Sequence, residues 1–123
     1  MLKTKPNKFS RTSRLTRQAD FDGVFAQGKR FKTPNMMIRV AANNIGKSRL
    51  GISIGTRFGN AVERNRMKRK IREAFRHIKS TLPACDIVCV PYPSARDLSN
   101  EQIMETVKKA CESLKNKHAK PDQ

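Results

Sequence analysis

Between Arg64 and Lys79, eight of 16 residues are basic: Arg64, Arg66, Lys68, Arg69, Lys70, Arg72, Arg76 and Lys79. A single acid, Glu73, opposes them. Guanidinium and ammonium groups at this density suit the binding of phosphates, because each phosphate they neutralise releases condensed counterions. In a free helix the same charges repel one another, so the run is expected where a polyanion relieves the crowding. Bond-breaking chemistry has no comparable source. No nucleophile with a plausible base, no paired carboxylates and no histidine pair for acid–base cleavage stand out, so no catalytic residue is expected in the chain.

Metal ligation is not expected either. Cys85, Cys89 and Cys111 are an odd number of cysteines in apolar contexts, which reads as reduced core thiols rather than a disulfide framework. His77 and His118 are far from the cysteine pair in sequence, so tetrahedral nitrogen and sulfur ligation has no evident source.

The element that must present the cations is a helix beginning around Asn60 and ending before Pro83, a proline that biases Leu82 away from helix. At about 100° per residue, Met67, Ile71, Ala74, Phe75 and Ile78 fall in one arc suited to a core. Asn65, Lys68, Arg69, Arg72, Arg76 and Lys79 fall in another, so the charges form a rail. Arg64 lies nearer the apolar arc, and its head is expected to pack at the helix start.

Around this helix, Thr16 is positioned to cap a first helix over about 17–27, with Phe21, Val24 and Phe25 on one face and Gly28 as its stop. Asn35 to Ala42 and Arg49 to Thr56 read as strands, and the Asn43, Asn44 and Gly46 between them predict a hairpin. Phe31 to Thr33 is a candidate short edge strand. The apolar run Cys85 to Val90 reads as a buried strand. Ser99 with Gln102 forms a capping-box pattern, and Ile103, Val107, Ala110, Cys111 and Leu114 continue a helical stripe, so a last helix is expected over about 100–116. The order predicts an α+β single-domain sandwich with helices on an open sheet. A basic flexible arm is expected over 1–14, the folded RNA-binding domain over 15–115 and a flexible tail over 116–123.

AVERNRMKRKIRE from Ala61 to Glu73 resembles the arginine-asparagine-arginine signature of the bacterial ribonuclease P protein family. DFDGVF from Asp20 to Phe25, followed by Gly28, is similar to that family's aromatic first-helix motif. RLGISIGTRFGNAV from Arg49 to Val62 resembles its central strand and turn. The likeness runs in order from about Leu15 to Leu114.

The resemblance implies an αβββαβα fold, a four-stranded sheet with a left-handed βαβ crossover, against the usual right-handed rule. It also implies a protein subunit that binds the catalytic RNA subunit of ribonuclease P and the single-stranded 5′ leader of precursor tRNA. The hydrolysis that matures the tRNA 5′ end is then carried out by the RNA with bound Mg2+, held mainly by that RNA, and no organic cofactor is expected on the protein. Arg64, Asn65, Arg66, Lys68, Arg69, Arg72 and Arg76 are implied to face the RNA subunit. Phe21, Phe25, Met37, Arg39, Ser53 and Arg57 are implied to line the leader site, although the spacing of the two phenylalanines alone fits a core position. The family often has Tyr where Arg39 stands and Lys-Lys or Ser-Lys where Thr56-Arg57 stands.

Composition agrees with the partner class: 27 Lys plus Arg against 10 Asp plus Glu give a formal charge of +17 on 123 residues. The 37% of hydrophobic residues suffice for one small core. No 18-residue apolar run, apolar signal core or lipidation motif is present, so a cytoplasmic protein without membrane association, monomeric when alone, is expected. The alternative reading is a general RNA-binding or ribosomal protein with no nuclease role.

Overall fold

The computed structural model describes residues 14–15, 18–43 and 45–115. The expected Thr16 cap, nearly all of the 1–14 arm and the 116–123 tail lie outside them. Helix α1 spans Gln18–Gln27, followed by strands β1 (Lys29–Lys32), β2 (Met36–Ala42) and β3 (Arg49–Ile52). A short 3-10 turn, Thr56–Phe58, leads into helix α2 (Ala61–Ile78). Strand β4 (Cys85–Pro91), a second 3-10 turn (Pro93–Asp97) and helix α3 (Asn100–Lys115) complete the αβββαβα order.

The sheet order is β1-β2-β4-β3. β1 and β2 form an antiparallel hairpin through Thr33, whose hydroxyl accepts from the Asn35 and Met36 amides and donates to the Met36 carbonyl. The hairpin expected between β2 and β3 does not form. β4 takes the place between them, antiparallel to β2 and parallel to β3. Asn43 still makes a local turn, accepting from the Ile45 amide and donating to the Lys47 carbonyl, yet this turn redirects the chain without pairing its flanks. The strand expected over 49–56 stops at Ile52, and the edge strand expected at 31–33 occupies 29–32 instead.

Alternation divides the sheet into two faces. Met36, Ile38 and Val40 of β2, with Ile87 and Cys89 of β4, point to the main core and meet α2 and α3. The buried residues of α2 are Met67, Ile71, Ala74, Phe75 and Ile78, the five of the expected apolar arc. Ile103, Val107, Ala110 and Cys111 of α3 join them. Leu15, Val24 and Val88 form a smaller cluster on the other face, where α1 lies, with Phe21, Phe25, Ala41 and Val90 packed at its margin. β4 is buried along almost its whole length because strands flank it and helices cover both faces.

Both long helices begin as their sequences dictate. The Asn60 side chain accepts from the Glu63 amide at 2.9 Å while the Glu63 carboxylate accepts from the Asn60 amide at 2.9 Å, a closed capping box. Ser99 and Gln102 do the same for α3. Helix α1 ends at Gly28 through close approach: a Cβ there would stand 2.4 Å from the Val24 carbonyl oxygen. The three cysteines are free and buried, and burial pushes the Cys89 thiol up to about 12.

One ion pair ties the α1 face together. Arg49 of β3 donates to both carboxylate oxygens of Asp86 on β4, at 2.9 and 2.8 Å, and lies 3.9 Å from Asp20 in the first turn of α1. Asp86 also accepts from Asn43 at 2.7 Å, and its hydrogen bond holds the Arg49 guanidinium more firmly protonated. Asp86→Ala removes the carboxylate that accepts both close hydrogen bonds from that guanidinium and is expected to destabilise the fold by about 3–5 kcal/mol, measured by urea unfolding. A loss below about 1 kcal/mol, the value of an exposed pair, would show that the tie is dispensable.

Candidate nucleic-acid interface

Helix α2 sends its polar side chains in three directions. Asn65, Arg69, Arg72 and Arg76, with Glu73, line an open polar hollow of about 300 Å³ along the expected rail. Within it the Glu73 carboxylate accepts from Arg76 and lies 3.1 Å from the His77 ring nitrogen. The Arg76 bond is the main reason that Glu73 is held below the usual carboxylate range, and it raises Arg76 in turn. Lys79, beyond the helical segment, sits in a 3-10 turn, where lost solvation and the nearby charges of Lys47 and Arg76 lower its pKa.

The signature triplet does not share one face. Only Asn65 belongs to the hollow. Arg64 turns back and donates to the Gly59 carbonyl at 2.7 Å, as its position near the apolar arc predicts. Arg66 lies on the far flank, in a hollow of about 170 Å³ with Phe58, Glu63, Met67, Lys70, Arg96 and Asp97.

A second feature lies under α1. Phe21 and Phe25 are half-buried, neither sealed in the main core nor fully exposed. The Arg39 guanidinium stacks over the Phe25 ring, 5.3 Å from its centroid, and donates to the Phe25 carbonyl at 3.0 Å. Its Nε is buried and has no hydrogen-bond partner among the described residues. Met37 shares this face, because it pairs with Val90 while Arg39 pairs with Val88. Ser53 follows the same parity beyond Gly51, its amide donating to the Cys89 carbonyl. Arg57 is exposed on the turn Thr56–Phe58. The Phe21 ring packs over Gly51: a Cβ there would stand 2.7 Å from the tip of the ring, which would have to shift.

These two features meet at the β3 edge. Phe21, Leu15, Leu50, Gly51 and Ile52 line a groove of about 160 Å³ with Arg14, Lys68 and Arg72. Leu15 donates to the Leu50 carbonyl at 2.9 Å, which fixes Arg14 beside the rail. Partial desolvation, then the charge of Arg14, lowers the pKa of Arg72, as crowding of like charges requires. Three cations and an aromatic ring therefore share one wall.

Sequence reasoning missed several participants. Arg30 and Lys32 face the α1 side because they pair with Arg39 and Met37, a parity that only the β1–β2 register fixes. Arg14 falls at the end of the expected flexible arm yet bridges to Leu50, and Arg96 carries no local motif. Two of its partners, Glu63 and Phe58, are 33 and 38 residues away.

A family profile described as Ribonuclease P matches residues 9–115. This chain belongs to the ribonuclease P protein family. Its relatives include the ribonuclease P protein component of Legionella pneumophila, 34% identical over 113 residues, covering 91% of this chain and 97% of that protein. That of Aliivibrio fischeri is 37% identical over 107 residues, covering 86% and 92%. The Staphylococcus aureus RNase P protein structure superposes with a TM-score of 0.72 at 33% identity, covering 84% of this chain and 95% of that one. The Thermotoga maritima RNase P protein gives 0.71 at 30% identity, covering 81% and 96%. The four-stranded α+β architecture of this ribonuclease P family member is thus that of solved bacterial relatives.

Magnesium is the ion that the family implies, and the described residues do not offer it a cage. No three His, Cys, Asp or Glu side chains come together among them. Glu73, the acid set among the rail cations, is engaged by Arg76 and His77. No described helix is long and apolar enough to cross a membrane.

The depressed pKa of Glu73 gives a signed pH dependence. Its pairing contributes stability above the unfolded carboxylate pKa, and that contribution disappears as pH falls through the lower folded value. Thermal unfolding of wild type and Glu73→Gln from pH 7 to pH 3 should show wild type ahead at neutral pH and the gap closing on acidification. A gap that widens would contradict the pairing.

Proposed function

We propose that this chain is the protein subunit of bacterial ribonuclease P. It binds the catalytic RNA along the α2 rail, accepts the single-stranded 5′ leader of precursor tRNA in the cleft beneath α1, and promotes magnesium-dependent maturation of the tRNA 5′ end. The observation that carries this reading is the shared groove, where Phe21 and Gly51 stand beside Arg14, Lys68 and Arg72. A binder of folded RNA needs only cations. An aromatic cleft opening onto the cations suits an unpaired strand, whose bases stack while its phosphates are neutralised.

Chemistry follows from that division. Arg69 and Arg72 supply planar forks for phosphate oxygens, and Asn65 can both donate and accept toward a ribose or loop. Phe21 and Phe25 offer stacking surface that tolerates any base. Arg39, already stacked on Phe25, presents its guanidinium in place of a tyrosine ring. Hydrolysis itself is assigned to the RNA subunit, with Mg2+ held by RNA phosphates, as the family resemblance implies. The protein raises local positive charge and orients the substrate. A general RNA-binding role would leave the cleft beside the rail without purpose.

Reconstitution decides between these readings. The purified chain should restore precursor tRNA cleavage at low magnesium to a bacterial ribonuclease P RNA and show none by itself. Cleavage by the protein alone would overturn the division of labour, and no restoration would favour the general binder. Arg69→Ala with Arg72→Ala should weaken RNA-subunit binding and flatten its log–log salt slope by about one to two, at about 0.7–0.9 per lost phosphate contact. An unchanged slope would remove these residues from the interface. Phe25→Ala should cost about 1–3 kcal/mol in binding leader-bearing precursor, with little loss for mature tRNA. Equal losses would mark core damage instead.

A further inference from the structure

Arg96 belongs to neither the rail nor the cleft, yet it makes the most connected set of contacts at the start of α2. From the turn Pro93–Asp97 after β4, its Nη2 donates to the Phe58 carbonyl at 2.5 Å and its Nη1 to the Glu63 carboxylate at 3.3 Å. Its guanidinium stacks over the Phe58 ring, 5.3 Å from the centroid, and its Nε donates to the Pro93 carbonyl at 3.1 Å. Lys70 of α2 closes the circuit by donating to the Arg96 carbonyl at 3.2 Å.

These contacts converge on the segment that launches the signature. Glu63 is shared: one carboxylate oxygen accepts from the Asn60 amide in the capping box and the other from Arg96. Gly59, whose carbonyl accepts from Arg64, is packed so closely that a Cβ would stand 2.2 Å from the Glu63 carboxylate. The first turn of α2, which ends at Arg64 and leads directly into Asn65 and Arg66, is thus gripped from outside the helix by one side chain. A helix N-terminus held only by its own cap frays easily, and fraying here would scatter the three directions in which the triplet points.

We propose that Arg96 is a positioning residue for the RNA-binding end of α2: it clamps Phe58 and Glu63, and thereby fixes the directions of Arg64, Asn65 and Arg66. The inference rests on the reading that α2 binds the catalytic RNA. Arg96 acts through the turn rather than by contributing its charge to a phosphate, since that charge faces Glu63 and the Phe58 carbonyl.

Full-length variants titrated with a bacterial ribonuclease P RNA test this. Arg96→Met, which keeps the stem, should weaken binding about 5- to 10-fold, and Arg96→Lys should not restore it, because one ammonium cannot serve the carbonyl, the carboxylate and the ring together. In an Asn65→Ala background the Arg96→Met loss should shrink to less than about 2-fold, the non-additivity expected of coupled groups. Glu63→Gln supplies a test of sign. It removes a negative charge near the RNA and keeps a capping-box acceptor, so simple electrostatics demands tighter binding whereas loss of the clamp demands weaker binding. Rescue by lysine, multiplicative losses with Asn65→Ala, or tighter binding by Glu63→Gln would each overturn the proposal. If Asn65→Ala and Arg69→Ala weaken binding while Arg96→Met does not, this proposal alone falls. If none of the three changes binding, the RNA-binding reading of α2 falls and takes it along.

Discussion

Adjacent parallel strands cannot be joined by a tight turn, and β3 and β4 lie side by side in parallel with α2 in the chain between them. The helix must therefore cross the sheet, and its five apolar residues dictate which side it buries. Once that stripe is seated, the polar arc on the β3 side follows, and Lys68 and Arg72 come beside Phe21 and Gly51. The meeting of cations and aromatic ring is thus a consequence of strand order. An antiparallel β2–β3–β4 meander would bury the same residues and lose the shared groove.

Packing also sustains a helix that electrostatics opposes. Eight basic residues in 16 repel one another, and local relief comes from Glu73, which pairs with Arg76. The remaining crowding is carried by burial of Phe75, Ile71, Met67 and Ile78 against the sheet, while lost solvation first and neighbouring cations second lower the pKa values of Arg72 and Lys79. A surface held under such repulsion is ready to bind a polyanion, because neutralisation relieves a cost that the fold already bears.

Much of this was legible locally. The apolar and cationic arcs of α2 follow from a 100° rotation per residue, and the caps at Asn60 and Ser99 follow from residues three positions apart. The family signature added the αβββαβα order and the expected sites. What stayed hidden depends on partners distant in sequence. Asn43 to Gly46 carry a true turn signal, but whether β3 pairs with β2 or β4 is decided by burial of β4 on both sides, which no turn encodes. Arg30 and Lys32 reach the α1 face through register, and Arg96 grips a turn more than 30 residues before it. The triplet Arg64-Asn65-Arg66 lies between these cases, since its divergence follows from helix geometry while its three environments follow from tertiary packing.

Gly51 carries a further consequence for how this sequence can drift. The Phe21 ring rests where a side chain at position 51 would begin, 2.7 Å from the missing Cβ, with Leu15 only slightly farther. A residue larger than glycine would meet the tip of that ring and push it aside, and the shift reshapes the groove beside Arg72. What position 51 can carry is therefore tied to where the ring at position 21 rests, so the shape of the groove depends on a carbon that is missing as well as on the charges beside it.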